Sequence, residues 1–358
     1  MSFYKKIAEA AAVIMLLVCP AAGAATWQLS DEKGWQNISD TPEGAYLLEI
    51  SAIKQAVESG KKKEALDALV RLKTQFPQFA GKDLDAFIEA EKKFAKNELS
   101  KAARLYTNFI TTYPDSPFDP AALERLYSIG AAYLGGQKRV FIKILKFPAY
   151  DEGERILRDL SDRTGDSSLA HRCLVTLAES QEERQLFLEA YQSWAEIADR
   201  WPTGETGKEA LLRMGQSLHA AYKGPQYDAT VLRGAASYFE DYSKRYPQHA
   251  AEMDMAQKLD LIRQQQAYKK YSVGLYYEKT GQISAAQIYY QAVQEEYPGT
   301  RGAVLAREHS DALKAGKDIL PPKSARRKIF DGSTHFLDQW FGTAGLLGLP
   351  TREQTKQD

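Results

Sequence analysis

The chain has 358 residues, and its hydrophobic fraction of 44% and charged fraction of 26% exclude wholesale disorder and a multi-span membrane protein. Its 47 basic and 47 acidic residues leave no net field that would concentrate a polyanion. We therefore expect no nucleic-acid partner.

The N-terminal residues 1–24 are typical of a secretory signal peptide. Lys5 and Lys6 precede an apolar stretch over residues 8–18, and an Ala-Gly-Ala cleavage site occupies residues 22–24. The apolar stretch is shorter than the roughly 20 residues that a membrane-spanning helix needs, and no later stretch is long enough. We predict an exported protein of the periplasm or of the periplasmic face of the outer membrane, without a transmembrane span.

Cys19 leaves a second way of processing open. An exported protein can be lipidated on a cysteine after a short apolar stretch, but Val18 stands where Gly, Ala or Ser is usual, and Pro20 follows. Cleavage after Ala24 is therefore the expectation, and lipidation of Cys19 is the alternative. After such cleavage Cys173 is the remaining cysteine, so no internal disulfide is expected.

An internal repeat organises the residues that follow. An alanine is followed by a large residue at +4, an apolar residue at +7 and a proline at +12 that an aromatic residue precedes. The +4 and +7 side chains share a helix face with the small alanine, and proline ends the helix. The five copies are Ala65, Leu69, Leu72 and Pro77; Ala102, Tyr106, Phe109 and Pro114; Ala190, Trp194, Ile197 and Pro202; Ala235, Phe239, Tyr242 and Pro247; and Ala286, Tyr290, Val293 and Pro298.

A degenerate sixth copy completes the predicted array. Gly153, Leu157 and Leu160 repeat the spacing, with Gly165 in place of the proline. An amphipathic first helix precedes each second helix, and the stretch from Gly274 to Pro298 resembles the tetratricopeptide consensus. We predict an all-α, tetratricopeptide-type solenoid of about five to six repeats and about twelve helices, because one hairpin cannot bury its apolar face alone.

These patterns divide the chain into four predicted segments. Insertions near residues 138–148 and 223–230 lengthen two of the helical hairpins. The segments are the signal peptide, residues 1–24; an N-terminal linker, residues 25–42; the repeat solenoid, residues 43–315; and a C-terminal tail with a short amphipathic segment, residues 316–358.

Two stretches resemble one family of repeat proteins. Tyr113 to Phe118, followed by Ala121, Ala122 and Tyr127, and the run from Lys258 to Thr300 resemble the outer-membrane assembly lipoprotein family of BamD in order and spacing. The resemblance covers residues 43–313. It implies a scaffold that helps to insert β-barrel proteins into the outer membrane, with substrate segments on its early repeats and a barrel subunit on its late ones.

A general cell-envelope repeat adaptor, serving peptidoglycan or a secretion machine, is the alternative function. On either interpretation the expected partners are other envelope proteins or peptides, among them a β-barrel assembly subunit, and peripheral contact with a membrane remains open.

Residue patterns typical of catalysis or of metal binding are absent from the sequence. No H-E-x-x-H motif, phosphate-binding loop or G-x-S-x-G elbow occurs, and acidic pairs such as Glu182-Glu183 are expected on solvated helix faces. We predict no enzymatic activity, no metal and no cofactor. The histidines are scattered, at His171, His219, His249, His309 and His335.

Aromatic and apolar side chains on the first helices are the candidates for protein binding. They would line the concave surface of a tetratricopeptide array, and ordinary core packing is the competing interpretation. The candidates are Leu84, Phe87 and Phe94 in the early repeats and Tyr268 and Tyr271 in the late ones.

The C-terminal tail has a further apolar stripe. Phe336, Leu337, Trp340 and Phe341 recur at helical spacing after a basic cluster at residues 323–328. They are candidates for docking on the last repeat as a cap, in a partner's groove or on a membrane surface.

Overall fold

The computed structural model describes residues 15–17, 25–30, 34–142 and 145–317. Most of the predicted signal peptide, including Cys19, lies outside the described residues. So do the tail candidates Phe336, Leu337, Trp340 and Phe341. The chain divides into two compact units, Met1–Thr164 and Gly165–Asp358, which we call the first and second units.

The first unit contains six α-helices and two small antiparallel sheets among its described residues. One sheet has the strand order β1-β2-β3, and the other is the hairpin β4-β5. The strands are β1 (Met15–Leu17), β2 (Ala25–Ser30), β3 (Gly34–Asn37), β4 (Lys138–Ile142) and β5 (Leu145–Pro148). The helices are α1 (Pro42–Glu58), α2 (Lys62–Gln75), α3 (Lys82–Ala95), α4 (Leu99–Thr112), α5 (Asp119–Leu134) and α6 (Tyr150–Thr164), with a 3-10 turn at Pro77–Phe79.

The described part of the second unit is helical. Neighbouring helices pack against one another along the chain, and α12 also packs against α10 and α14. The helices are α7 (Ser168–Glu183), α8 (Phe187–Arg200), α9 (Gly204–Ala220), α10 (Thr230–Arg245), α11 (Pro247–Glu252), α12 (Met255–Lys279), α13 (Ile283–Glu296) and α14 (Arg301–Lys314).

The predicted all-α repeat fold is confirmed. The described residues form fourteen α-helices rather than about twelve, because Pro247 begins the short helix α11 and because α14 follows the last hairpin. The insertion at residues 138–148 forms strands β4 and β5, as its Val, Ile and Phe residues favour.

The repeat pattern coincides with the buried core. At the alanine, +4 and +7 positions of all five copies, from Ala65 to Val293, no residue is more than 1% exposed. Each second helix also ends directly before the aromatic residue that precedes its proline. These residues are Phe76, Tyr113, Trp201, Tyr246 and Tyr297, which follow α2, α4, α8, α10 and α13.

Four of the turns inside the hairpins share one backbone conformation. Gly60, Asn97, Gln185 and Gly281 each have a positive φ, between 57° and 80°, directly after the last residues of a first helix. The next amide then donates back to a carbonyl five residues earlier, as Glu98 does to Lys93 at 2.9 Å. This left-handed end satisfies helix carbonyls and turns the chain back into the second helix.

A small residue lets the two helices of a hairpin approach closely. A Cβ atom on Gly274 of α12 would lie 2.7 Å from the ring of Tyr290 on α13, which is too close for a side chain. Glycine therefore stands at this position because the aromatic residue of the second helix fills the space. No helix of the described residues is long and apolar enough to cross a membrane.

Candidate protein-binding site

Helix α3 has a buried face that contains three of the predicted binding residues. Leu84, Phe87 and Phe94 are at most 3% exposed. The Phe87 ring stacks on Phe118 with ring centroids 5.3 Å apart and also contacts Tyr106. In this arrangement the three side chains pack inside the first unit, and their role in binding remains a prediction.

The two predicted tyrosines of the second unit also lie within a cluster. Tyr271 is 5% exposed and stacks on Tyr290, with ring centroids 5.7 Å apart, while Tyr268 is half-buried beside it. Burial raises the pKa of both phenols. Of the pair, Tyr268 presents the larger surface to a partner, and the binding role of both remains a prediction.

The opposite face of α3 forms one wall of an open groove, and α2 forms the other. The groove has a volume of about 540 Å³, within the range of ligand pockets in proteins. We call it the α2–α3 groove. Its lining residues are Val70, Lys73, Thr74, Asp85, Ile88, Glu89, Lys92, Lys93 and Lys96.

The α2–α3 groove is cationic with an apolar surface inside it. Lys73 forms an ion pair with Asp85, and the Nζ atom of Lys93 lies 3.9 Å from Oε2 of Glu98. Lys92 and Lys96 are exposed and form no ion pair with any described residue. Val70 is 45% exposed. An extended protein segment with an apolar side chain and a carboxylate matches this combination in shape and charge.

A buried ion pair lies inside the first unit. Arg125 of α5 donates from Nε to Oε1 of Glu91 at 2.7 Å and from Nη2 to Oε2 at 3.0 Å, and both side chains are 0% exposed. The Tyr106 hydroxyl donates to the same carboxylate at 2.5 Å. The Arg125 guanidinium also lies 4.5 Å from the centre of the Phe94 ring. This cluster connects α3, α4 and α5.

Glu182 has the corresponding role in the second unit. It is 3% exposed, and it accepts bonds from Trp194 Nε1 at 2.9 Å, Ser217 Oγ at 3.1 Å and Arg213 Nη1 at 2.9 Å. Burial raises the pKa of this carboxyl, and the charge of Arg213 opposes the shift. The expectation of a solvated helix face was wrong for Glu182.

Two further polar pairs join helices of the second unit. Glu278 accepts bonds from the Tyr290 hydroxyl and from His309 Nδ1, the latter at 2.7 Å. His219 is 2% exposed and bonds Gln265 at 2.8 Å, and burial lowers its pKa to about 4. His219 and His309 therefore contribute to interhelical packing.

The spacing of these pairs is the signal that could have located them. Glu91 and Arg125 are 34 residues apart, while 31 residues separate Glu182 from Arg213 and Glu278 from His309. One tetratricopeptide repeat has about 34 residues, so each carboxylate on a first helix meets a donor on the next first helix. Residue type alone does not reveal this, because most glutamates on helices are solvated.

The remaining candidates for chemistry are few. No group of three or more His, Cys, Asp or Glu side chains in the described ranges is arranged to hold a metal ion. Cys173 is 0% exposed and lies in the core of the second unit.

A family model matches part of the chain. The family described as "YfiO: Outer membrane lipoprotein", which is the BamD family, matches residues 190–314. Those residues are similar to the BamD family. The matched segment begins in α8 and ends with α14, so it covers most of the helices of the second unit. No curated protein matches the chain.

The BamD-family match has two consequences for the candidate sites. It includes Tyr268 and Tyr271, whereas the α2–α3 groove lies in the first unit, outside the matched residues. The family is one of lipoproteins, and lipidation of Cys19 remains the alternative to cleavage after Ala24, because this residue lies outside the described ones.

Proposed function

We propose that this chain is a non-catalytic scaffold of the bacterial cell envelope that binds segments of other proteins during assembly of the outer membrane. The observation that carries the proposal is the match of residues 190–314 to a family of outer membrane lipoproteins. The protein acts in the periplasm or at the periplasmic face of the outer membrane. Its partners are envelope proteins, among them a β-barrel assembly subunit.

The α2–α3 groove supplies a place for a bound segment. Lys92 and Lys96 provide exposed positive charge along the groove, and Val70 provides apolar surface within it. Charge at a rim steers a partner of opposite sign and fixes its register, while apolar contact contributes most of the affinity. The groove therefore favours an acidic segment that also contains an apolar side chain.

A general envelope adaptor for peptidoglycan or a secretion machine is the competing function. The family match does not include the first unit, which contains the groove, so partners of the groove and partners of the matched helices have to be identified separately.

Substitution of Lys92→Gln together with Lys96→Gln is expected to weaken binding of a partner in the groove about tenfold. The reason is that each lysine would lose one exposed ion pair with the acidic bound segment. The measurement uses the tagged full chain, crosslinked in cells and purified from the envelope, with the recovered proteins quantified by mass spectrometry. The partner most depleted in the double variant is the one that occupies the groove.

The matched control is Lys63→Gln with Arg104→Gln, which removes the same charge from two exposed positions of the first unit outside the groove. It is expected to recover partners as the unaltered chain does. Equal recovery by both double variants would remove the groove from the proposal, and no reproducible envelope partner with the unaltered chain would overturn the scaffold function itself.

A further inference from the structure

The last helical hairpin of the second unit has an exposed aromatic surface, which we call the tyrosine patch. Tyr276 is 57% exposed, and its ring contacts Tyr277, with ring centroids 5.6 Å apart. Tyr277 in turn stacks on Tyr289 of α13, with ring centroids 5.3 Å apart. Ile283, the fourth member, is 39% exposed and follows Gln282, whose amide donates to the Tyr277 carbonyl at 2.9 Å. Apolar side chains exposed together, unlike single ones, mark a contact surface.

The helix α14 ends at the same edge of the second unit as this patch. His309 of α14 bonds Glu278, the residue after Tyr277, at 2.7 Å. Leu313, one turn further along α14, packs against the same apolar cluster as Tyr277. The C-terminal end of α14 therefore lies beside the turn between α12 and α13.

The end of α14 has the turn that elsewhere leads into a second helix. Gly316 has a φ of 66°, and the Lys317 amide donates to the Ala312 carbonyl at 2.9 Å. In the turn between α12 and α13, Gly281 has a φ of 80°, and the Gln282 amide donates in the same way. Such a left-handed residue reverses the direction of the chain. The backbone at Gly316 thus directs the chain back towards the last hairpin.

The outer face of α14 supplies no matching surface for an apolar segment. Apart from Val304, its exposed residues are charged or small, namely Arg301, Arg307, Glu308, Asp311, Lys314 and Ala315. A terminal helix with a polar outer face ends a solenoid without further cover. The exposed apolar surface beside the end of α14 is the tyrosine patch.

The sequence after Lys317 contains an apolar stripe that could cover this patch. Phe336, Leu337, Trp340 and Phe341 recur at helical spacing. The stretch from Lys317 to Phe336 can span about 60 Å when extended. The patch lies about two interhelical distances or less from α14, on the order of 20 Å. The stripe therefore reaches the patch with chain length to spare.

We propose that residues 336–341 pack on the tyrosine patch of their own chain. Phenylalanine and tryptophan rings make offset and edge-to-face contacts with tyrosine rings, and the contact removes apolar area of both surfaces from water. Because the segment is tethered, its effective concentration at the patch is about millimolar. The contact covers the turn of the last hairpin and does not depend on which partner the scaffold binds.

Site-specific photo-crosslinking tests the proposal. A benzophenone amino acid replaces Tyr276 in the purified full chain, and trypsin after irradiation releases residues 329–352 as one peptide, since Lys328 and Arg352 bound it. We expect this peptide to be joined to the one that contains position 276, within a monomer. Phe336→Ser with Trp340→Ser is expected to lower the crosslink yield at least about tenfold, because both aromatic anchors are lost.

Val304 provides the control position, because it is 51% exposed near the opposite end of α14. The same amino acid there is expected to give no crosslink to residues 329–352, and the far-UV circular dichroism of every variant should match that of the unaltered chain. A crosslink from position 276 to a second copy or to a copurifying protein, without the crosslink to residues 329–352, would overturn the proposal. Equal yields from the two positions, or an unchanged yield in the Phe336→Ser, Trp340→Ser variant, would also overturn it.

Discussion

Glu91→Ala is expected to lower the free energy of unfolding of the first unit by about 3–5 kcal/mol. The substitution leaves the Arg125 guanidinium buried at 0% exposure without its carboxylate, and Tyr106 loses the acceptor of its hydroxyl. An unpaired buried charge costs far more than the pair itself contributes. The measurement is urea denaturation followed by circular dichroism, fitted with separate transitions for the two units.

Two comparisons isolate the cause. Asp159→Ala removes an exposed partner of Arg155 in the same unit and is expected to cost less than about 1 kcal/mol. Glu91→Met combined with Arg125→Met removes both charges and should recover most of the lost stability. If Glu91→Ala were as mild as Asp159→Ala, the two side chains would not be buried together.

Trp194→Ala is expected to destabilise the second unit by about 3–5 kcal/mol, because it removes a large side chain that is 1% exposed. Trp194→Phe keeps most of the aromatic surface but removes the Nε1–H group that donates to Glu182. It is expected to lower the free energy of unfolding by about 1–2 kcal/mol. The difference between the two variants separates packing from hydrogen bonding. The readout is the urea midpoint by circular dichroism, which does not depend on tryptophan fluorescence.

The control is Ile288→Ala on α13, where the side chain is 68% exposed. It is expected to change the free energy of unfolding by no more than about 0.5 kcal/mol. A loss for Trp194→Ala no larger than this control would contradict the assignment of Trp194 to the core. It would also place the repeat pattern in the wrong helical register.

The repeat core could be predicted because its signal is strong and local. Within one copy, Ala286, Tyr290 and Val293 must share a helix face, and the proline at 298 ends the helix. The structure buries all three side chains and ends α13 at Glu296, two residues before that proline. Spacing alone was sufficient for this part of the fold.

The buried carboxylates and the groove could not be predicted in the same way. Each first helix packs on its own second helix and on its neighbours, so more than one face of it is buried. Glu91, beside Ala90, is buried for this reason. Glu89, Lys92 and Lys96 of α3 follow helical spacing like any solvated face, and only the position of α2 makes them the wall of a groove.

The hairpin insertion was predicted in position but not in structure. An array pattern shows where a repeat is lengthened, and it contains no information about the inserted residues. The strands at β4 and β5 depend on the Val, Ile and Phe residues of the insertion and on a register that the sequence does not specify.

The role of the chain as an assembly scaffold is tested most directly by the identity of the proteins crosslinked to it in intact cells. We expect subunits of the outer-membrane β-barrel assembly machinery and unfolded barrel proteins to be the most enriched partners of the tagged full chain. Enrichment of peptidoglycan-synthesis or secretion proteins, with no barrel-assembly subunit above the level of an untagged control, would contradict this function.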